Sequence, residues 1–168
     1  MKRILTLIIT AALLLSLAAC GSGNSSAGEE MTDYNYIKAS AKTIIGISNS
    51  GELGGFNSEF AKFIFNKIGS DAGVNIEIVT KEIADSDAQN ALEKKQVDCV
   101  FSVAVNDETE KSLDFSTPYL SGNYAALMRN ESDLTAKVNQ AIYELRTDGT
   151  LSTLAEKYGL TVYNAADN

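Results

Sequence analysis

Between residues 43 and 158 the chain switches repeatedly between two hydrophobic periods, and that alternation restricts its fold more than any other feature of the sequence. "TIIGIS" (43–48) is a short β-branched run suited to a strand, and "NSGELGG" after it is a loop by composition. "NSEFAKFIFNKIG" places Phe60, Phe63, Ile64 and Ile68 at helical spacing, with Asn57 as the expected N-cap and Gly69 as the stop. "VNIEIVT" (74–80) reads as a second strand. Ser86 and Gln89 stand at capping-box spacing and open a helix whose inward face is Ala88, Ala91 and Leu92. "QVDCVFSVAV" (96–105) is almost continuously apolar, the pattern of a central strand covered on both faces. "GNYAALMR" (122–129) is a further strand. A helix striped by Leu134, Val138, Ala141, Ile142 and Leu145 follows, breaks at "TDG", and gives way to a short helix carrying Leu151, Leu154, Ala155 and Tyr158. This order predicts an α/β domain with a mainly parallel sheet and helices on both faces.

In such sheets small ligands lie outside the carboxyl ends of the strands. Two loops should share that edge: "SNSGELGG" after the first strand and "SVAVNDETEK" after the third. The second loop leads into "DFSTPY", which holds the chain's single proline, Pro118.

The N-terminus has a different character. Lys2 and Arg3 precede an apolar run, Ile4–Leu17, that is short for a membrane span, and small residues follow it. That is the layout of a secretory signal. "LAAC" before Gly21 resembles the lipobox of bacterial lipoproteins. The resemblance implies cleavage after residue 19, a diacylglyceryl thioether on Cys20 and attachment to the membrane through that lipid. "GSGNSSAGEE" has almost nothing to bury, so residues 20–38 read as a flexible tether, 39–160 as the folded lobe and 161–168 as a tail. The expected address is extracytoplasmic, either the outer cell surface or the periplasm. Loss of Lys2 and Arg3 with the signal takes the formal charge from −8 to −10, a surface that repels nucleic acid. Lipidation of Cys20 leaves Cys99, inside an apolar run, as a buried thiol without a disulfide partner.

"GGFNSEFAKFIFNKIG", "ALEKKQVDCVFSVAVNDETEKSLDFSTPY" and "LTAKVNQAIYELRTDGTLSTLAEKYGL" together resemble, in order, the amino-acid-type (family 3) solute-binding proteins of bacterial ABC importers. The resemblance implies a single three-layer lobe of a type II periplasmic-binding-protein fold. Family members close two lobes on a ligand. Here "YAALMRNESDL" runs straight into "TAKVNQAIYEL", so the chain reads as the first lobe alone. The family's loop after strand three carries hydroxyls and an arginine that clamps the ligand's α-carboxylate. In this chain Ala104 and Asn106 replace the hydroxyls and Thr109 stands where the arginine is expected. A charge-assisted hydrogen bond contributes about 1.5–3 kcal/mol, so its loss weakens carboxylate binding by roughly ten- to a hundredfold. Asp107, Glu108 and Glu110 would further repel a carboxylate.

Catalysis is not expected. The absence of histidine removes the usual triads and the commonest metal ligand, and no glycine-rich phosphate loop is present. "DSDAQN" (85–90) lacks the glycine and the final acid of a calcium loop, so neither metal nor cofactor is expected. Arg129 and Arg146, the arginines left after cleavage, are expected at element ends or on solvated faces. Two functions remain. In the first, the lobe binds a small polar solute weakly through Asn49, Ser102, Asn106 and Thr109. In the second, Phe115, Tyr119 and Tyr124 form an exposed patch that docks on an ABC permease, a full-length receptor or a second copy; the favoured expectation for Phe115 and Tyr119 is instead that they seal the crossover against the sheet.

Overall fold

A computed structural model describes residues 31–48, 53–104 and 112–164. Its elements are α1 (Asp33–Ser40), β1 (Lys42–Ser48), α2 (Gly54–Ala72), β2 (Glu77–Ile83), a 3-10 turn (Asp85–Asp87), α3 (Ala88–Glu93), β3 (Cys99–Ala104), β4 (Leu113–Phe115), β5 (Tyr124–Arg129), α4 (Leu134–Thr147) and α5 (Thr150–Lys157). The strands form one sheet in the order β2-β1-β3-β5-β4. β1 pairs in parallel with β2 and β3, while β5 is antiparallel to both β3 and β4. β5 is therefore the one strand of the five that runs against the others.

Two cores explain why β3 is apolar at every position but Ser102. On one face Ile45, Ile47, Cys99, Phe101, Ala126 and Met128 meet α2, α4 and α5. On the other, Val100, Val103 and Leu127 meet Ala88, Ala91 and Leu92 of α3. Cys99 and Phe101 share the first face by ordinary alternation, but Val100 and Val103 are an odd number of residues apart and still share the second. The β3–β5 register shifts between Phe101 and Val103, and a bulge of one residue there, at Ser102, accounts for it.

α2 is anchored by a ring cluster: Phe60 lies 4.8 Å from Tyr119, 5.4 Å from Phe56 and 6.1 Å from Phe101. The helix begins at Gly54, three residues before the expected cap, because Phe56 belongs to this cluster. Asn57 is buried inside the helix and accepts a hydrogen bond from the Tyr119 hydroxyl at 3.3 Å. Gly69 does not stop the helix. A Cβ there would lie 2.7 Å from the Val74 carbonyl, so glycine is required for close approach, and Gly73 ends the helix at φ +69°. Phe63, although at helical spacing, is 38 % exposed. Tyr158 also lies at the surface, its hydroxyl donating to Glu59 at 2.9 Å.

Both ends of the expected lobe move. Residues 33–38, read as tether, belong to α1, which Thr32 caps and which buries Ile37 completely. Arg129 holds this helix in place. Its Nε donates to both Asp33 oxygens at 3.0 and 3.1 Å, Nη2 donates to Asp33 at 2.7 Å, and Nη1 donates to the carbonyls of Leu92 and Val97. Asp98 stands 3.7 Å away and accepts from Thr43 and from the Ile44 amide. Burial pushes the Asp33 carboxyl up, but hydrogen bonds from Arg129 and Ser132 and the guanidinium charge outweigh it and hold the group below its ordinary value. Arg129 is thus enclosed rather than solvated. Arg146 donates to the Pro118 carbonyl at 2.9 Å. At the other end, Val162 bridges Leu120 and the Tyr163 amide donates to the Tyr119 carbonyl, so the start of the expected tail is part of the fold.

Candidate functional site

The edge where a ligand should lie is formed by the carboxyl ends of β1 and β2 and by the N-terminus of α2. β1 ends at Ser48 and α2 starts at Gly54, so the first-turn amides of that helix open on the same edge. A cavity of about 530 Å³ occupies it, lined by Ile47, Ser48, Gly54, Ser58, Thr80, Lys81 and Glu82. The volume lies within the roughly 300–1,000 Å³ typical of small-molecule sites. The Ser48 hydroxyl donates to Asp85, which fixes the 3-10 turn against the end of β1. Hydroxyls, one ammonium and one carboxylate line the cavity, a set that can hydrogen-bond a polar solute but contains no guanidinium.

Neither arginine among the described residues reaches this edge. Arg129 terminates β5, and because β5 runs backwards its end meets Asp98 and Thr43 at the amino ends of β3 and β1, the opposite edge. Arg146 on α4 is committed to Pro118. Among the described residues, no group of three His, Cys, Asp or Glu side chains is placed to hold a metal ion. No helix among them is long and apolar enough to cross a membrane.

Of the solute-binding candidates, Ser102 sits in the β3 bulge, while Asn49, Asn106 and Thr109 lie outside the described residues, as does Cys20. The aromatic candidates do not form an exposed patch. Tyr119 is fully buried in the ring cluster, Tyr124 is half-buried against the same core, and Phe115 packs half-buried against the smaller core on the other face. The physical reason is the β4–β5 pairing, which folds "DFSTPY" back along the sheet. Ser116 cements it, since its hydroxyl accepts from the Ala126 amide at 2.9 Å.

Sequence reasoning missed Ser58, Thr80, Lys81 and Glu82. β2 lies three residues later than expected, and "KE" looks like the polar start of a loop. The available signal was Ile83, which continues the strand's alternation beyond the two charges and is buried.

The profile of the family described as bacterial extracellular solute-binding proteins, family 3, matches residues 39–161. The arginine-binding extracellular protein ArtP of Bacillus subtilis is 30 % identical over 137 residues, covering 80 % of this chain and 51 % of ArtP. The L-cystine-binding protein TcyJ of Escherichia coli K12 is 27 % identical over 136 residues, covering 74 % of this chain and 48 % of TcyJ. The chain spans about half the length of the curated relatives it matches. Among solved structures, the arginine-bound form of domain 1 from TmArgBP superposes with a TM-score of 0.55 at 23 % identity, covering 66 % of this chain and 98 % of that domain. The ancestral amino acid-binding protein AncCDT-1, a precursor of cyclohexadienyl dehydratase, gives 0.66 at 14 % identity, covering 76 % of this chain and 99 % of that one. At these identities the two structures establish the fold, a periplasmic-binding-protein lobe. With the family profile matched across the whole sheet and helices α2 to α5, the chain belongs to the bacterial extracellular solute-binding proteins, family 3.

Proposed function

We propose that the chain is a membrane-anchored, extracytoplasmic solute-binding lobe that serves an amino-acid ABC importer, with an altered site that binds its solute weakly. The observation that carries this reading is the cavity at the carboxyl ends of β1 and β2, which is lined by hydroxyls and by Lys81 and Glu82 but has no arginine. A ligand held there by one lobe keeps one side open to solvent, so affinity falls below that of a pocket that encloses its ligand. The solutes for which the relatives are named, arginine and cystine, indicate amino acids as the chemical class to try first. The lipid on Cys20 would hold the lobe at the membrane, where an importer permease is its natural partner. Burial of Tyr119 removes support from the aromatic docking patch.

The test is a thermal-shift screen of the full chain against cationic, neutral and anionic amino acids, followed by titration of any hit. A solute at about a hundred times its dissociation constant adds roughly 2.7 kcal/mol, which raises the midpoint by several degrees. A saturable shift from a neutral or cationic amino acid, lost when Ser58 and Thr80 are replaced by valine, is the expected result. A cooperatively melting chain that no solute shifts sinks the proposal.

A further inference from the structure

The sheet has two edges, and they are finished differently. β4 is three residues long and Pro118 follows closely after it, so it offers little to pair with. β2 is seven residues long, contains neither proline nor glycine, and keeps a regular register with β1 from Glu77 to Ile83. A long regular edge strand is a template for a further strand unless something blocks it.

The hydrogen-bonding phase of this edge follows from one contact. The Glu77 amide donates to the Ala41 carbonyl, on the β1 side. In a parallel strand the backbone groups alternate direction. Glu77, Val79 and Lys81 therefore face β1, and Ile78, Thr80 and Glu82 direct their N–H and C=O groups outward. Among the described residues no backbone hydrogen bond outside the sheet takes up those three.

The side chains restrict what can pair there. Glu77, Val79 and Lys81 share the sheet face of Ile83, the α3 side, and Lys42 of β1 pairs with Glu77 along it at 3.2 Å. Gly46 is the residue beside Lys81, and among the described residues no carboxylate pairs with that ammonium. A two-fold axis normal to the sheet lays β2 antiparallel to its own copy, with one residue opposite itself. Centring on Glu77, Lys81 or Glu82 sets like charges against each other. Centring on Thr80 sets Lys81 against Val79, and centring on Ile78 sets Glu77 against Val79, so neither pairs the charges. Centring on Val79 sets Glu77 against Lys81 of the second copy, twice, and extends the row from Lys42 as plus, minus, plus. The same register makes Ile78 and Thr80 exchange both backbone hydrogen bonds with Thr80 and Ile78 of the second copy. It places Val79 opposite Val79 and Glu77 opposite Lys81 in the closely spaced, non-hydrogen-bonded pairs, where side chains interact most strongly.

We propose that β2 is a self-complementary edge through which two copies of this chain join antiparallel about Val79, making one continuous sheet of ten strands, five from each copy. A lysine on an edge ordinarily discourages pairing; in this register it meets its counter-charge.

Sedimentation of the full chain over a concentration series, together with cysteine cross-linking, tests the idea. Val79→Cys treated with a mild oxidant such as diamide should give a 79–79 disulfide, mapped by mass spectrometry, and Thr80→Cys should give no 80–80 link. Lys81→Glu sets like charges opposite each other and should weaken the dimer by about fivefold or more, with the exchange Glu77→Lys plus Lys81→Glu restoring it. Both sites are exposed, so unchanged circular dichroism separates lost pairing from lost folding. A chain monomeric at every concentration without a 79–79 link overturns the proposal. So does preferential 80–80 linkage, or a dimer indifferent to Lys81→Glu.

Discussion

Replacing Arg129 with methionine isolates what attaches α1 to the lobe. The side chain is 14 % exposed and its chief partner, Asp33, 18 %, so both lie largely out of water. Methionine keeps most of the length of the arginine stem but leaves Asp33 and Asp98 without the cation between them and removes the guanidinium's bonds to the Val97 carbonyl and to the Leu92 carbonyl, which keeps the Lys95 amide. Removing one partner of a buried ion pair costs about 3–5 kcal/mol. Residual exposure, and the hydrogen bonds that Ser132, Thr43 and Ile44 still give the two carboxylates, reduce this to roughly 2–4 kcal/mol. Urea unfolding followed by circular dichroism at neutral pH measures it, and the thermal midpoint should fall by about 10 °C. Acid provides an independent check. The Asp33 carboxyl is held below its ordinary value of 3.8, so its contribution is complete above that pH and is lost as pH falls below it through the depressed folded value. Arg129→Met should flatten the stability profile in that acid window. A loss under about 1 kcal/mol, with the acid profile unchanged, would mean that the cluster behaves as an ordinary surface pair and that the reasoning is wrong.

Two further substitutions probe the core. Gly69→Ala forces a methyl against the Val74 carbonyl and should cost about 2 kcal/mol by urea titration, although alanine is the better helix former. Tyr119→Phe keeps the ring cluster and removes the hydroxyl's bond to Asn57, for about 1 kcal/mol, whereas Tyr119→Ala opens the cluster and should cost about 4 kcal/mol. Equal losses from the two Tyr119 variants would show that the hydroxyl, not the ring, holds the segment.

Elements with strong internal periodicity were legible in the sequence. The five apolar positions of α4 are all buried, and the nearly continuous apolar run of β3 lies between two cores as its pattern requires. What escaped depends on residues distant in the chain. "DYNYIKAS" has one core residue and looks like linker; it is helical because Arg129, almost a hundred residues on, takes Asp33. Asn57 has a cap's chemistry, but Tyr119 claims its side chain. Gly69 and Gly73 look equally able to stop a helix, and only the path of Val74 assigns one to packing and the other to the left-handed turn. The site divides similarly. Topology pointed to the edge beyond the carboxyl ends of the strands, whereas Lys81 and Glu82 line the cavity there only through the later placement of β2.

Cys99 gives the molecule a built-in clock. It is fully enclosed at the start of the central strand, and burial together with the neighbouring Asp98 carboxylate pushes its thiol well above the usual range. An alkylating reagent therefore meets a reactive thiolate at this position only when the sheet itself comes apart. A domain of about 5 kcal/mol stability is open in roughly one molecule in five thousand at any instant. The rate at which the Cys99 peptide gains mass then counts those openings, and anything that closes on the lobe, solute or second copy, slows the count by the factor with which it binds.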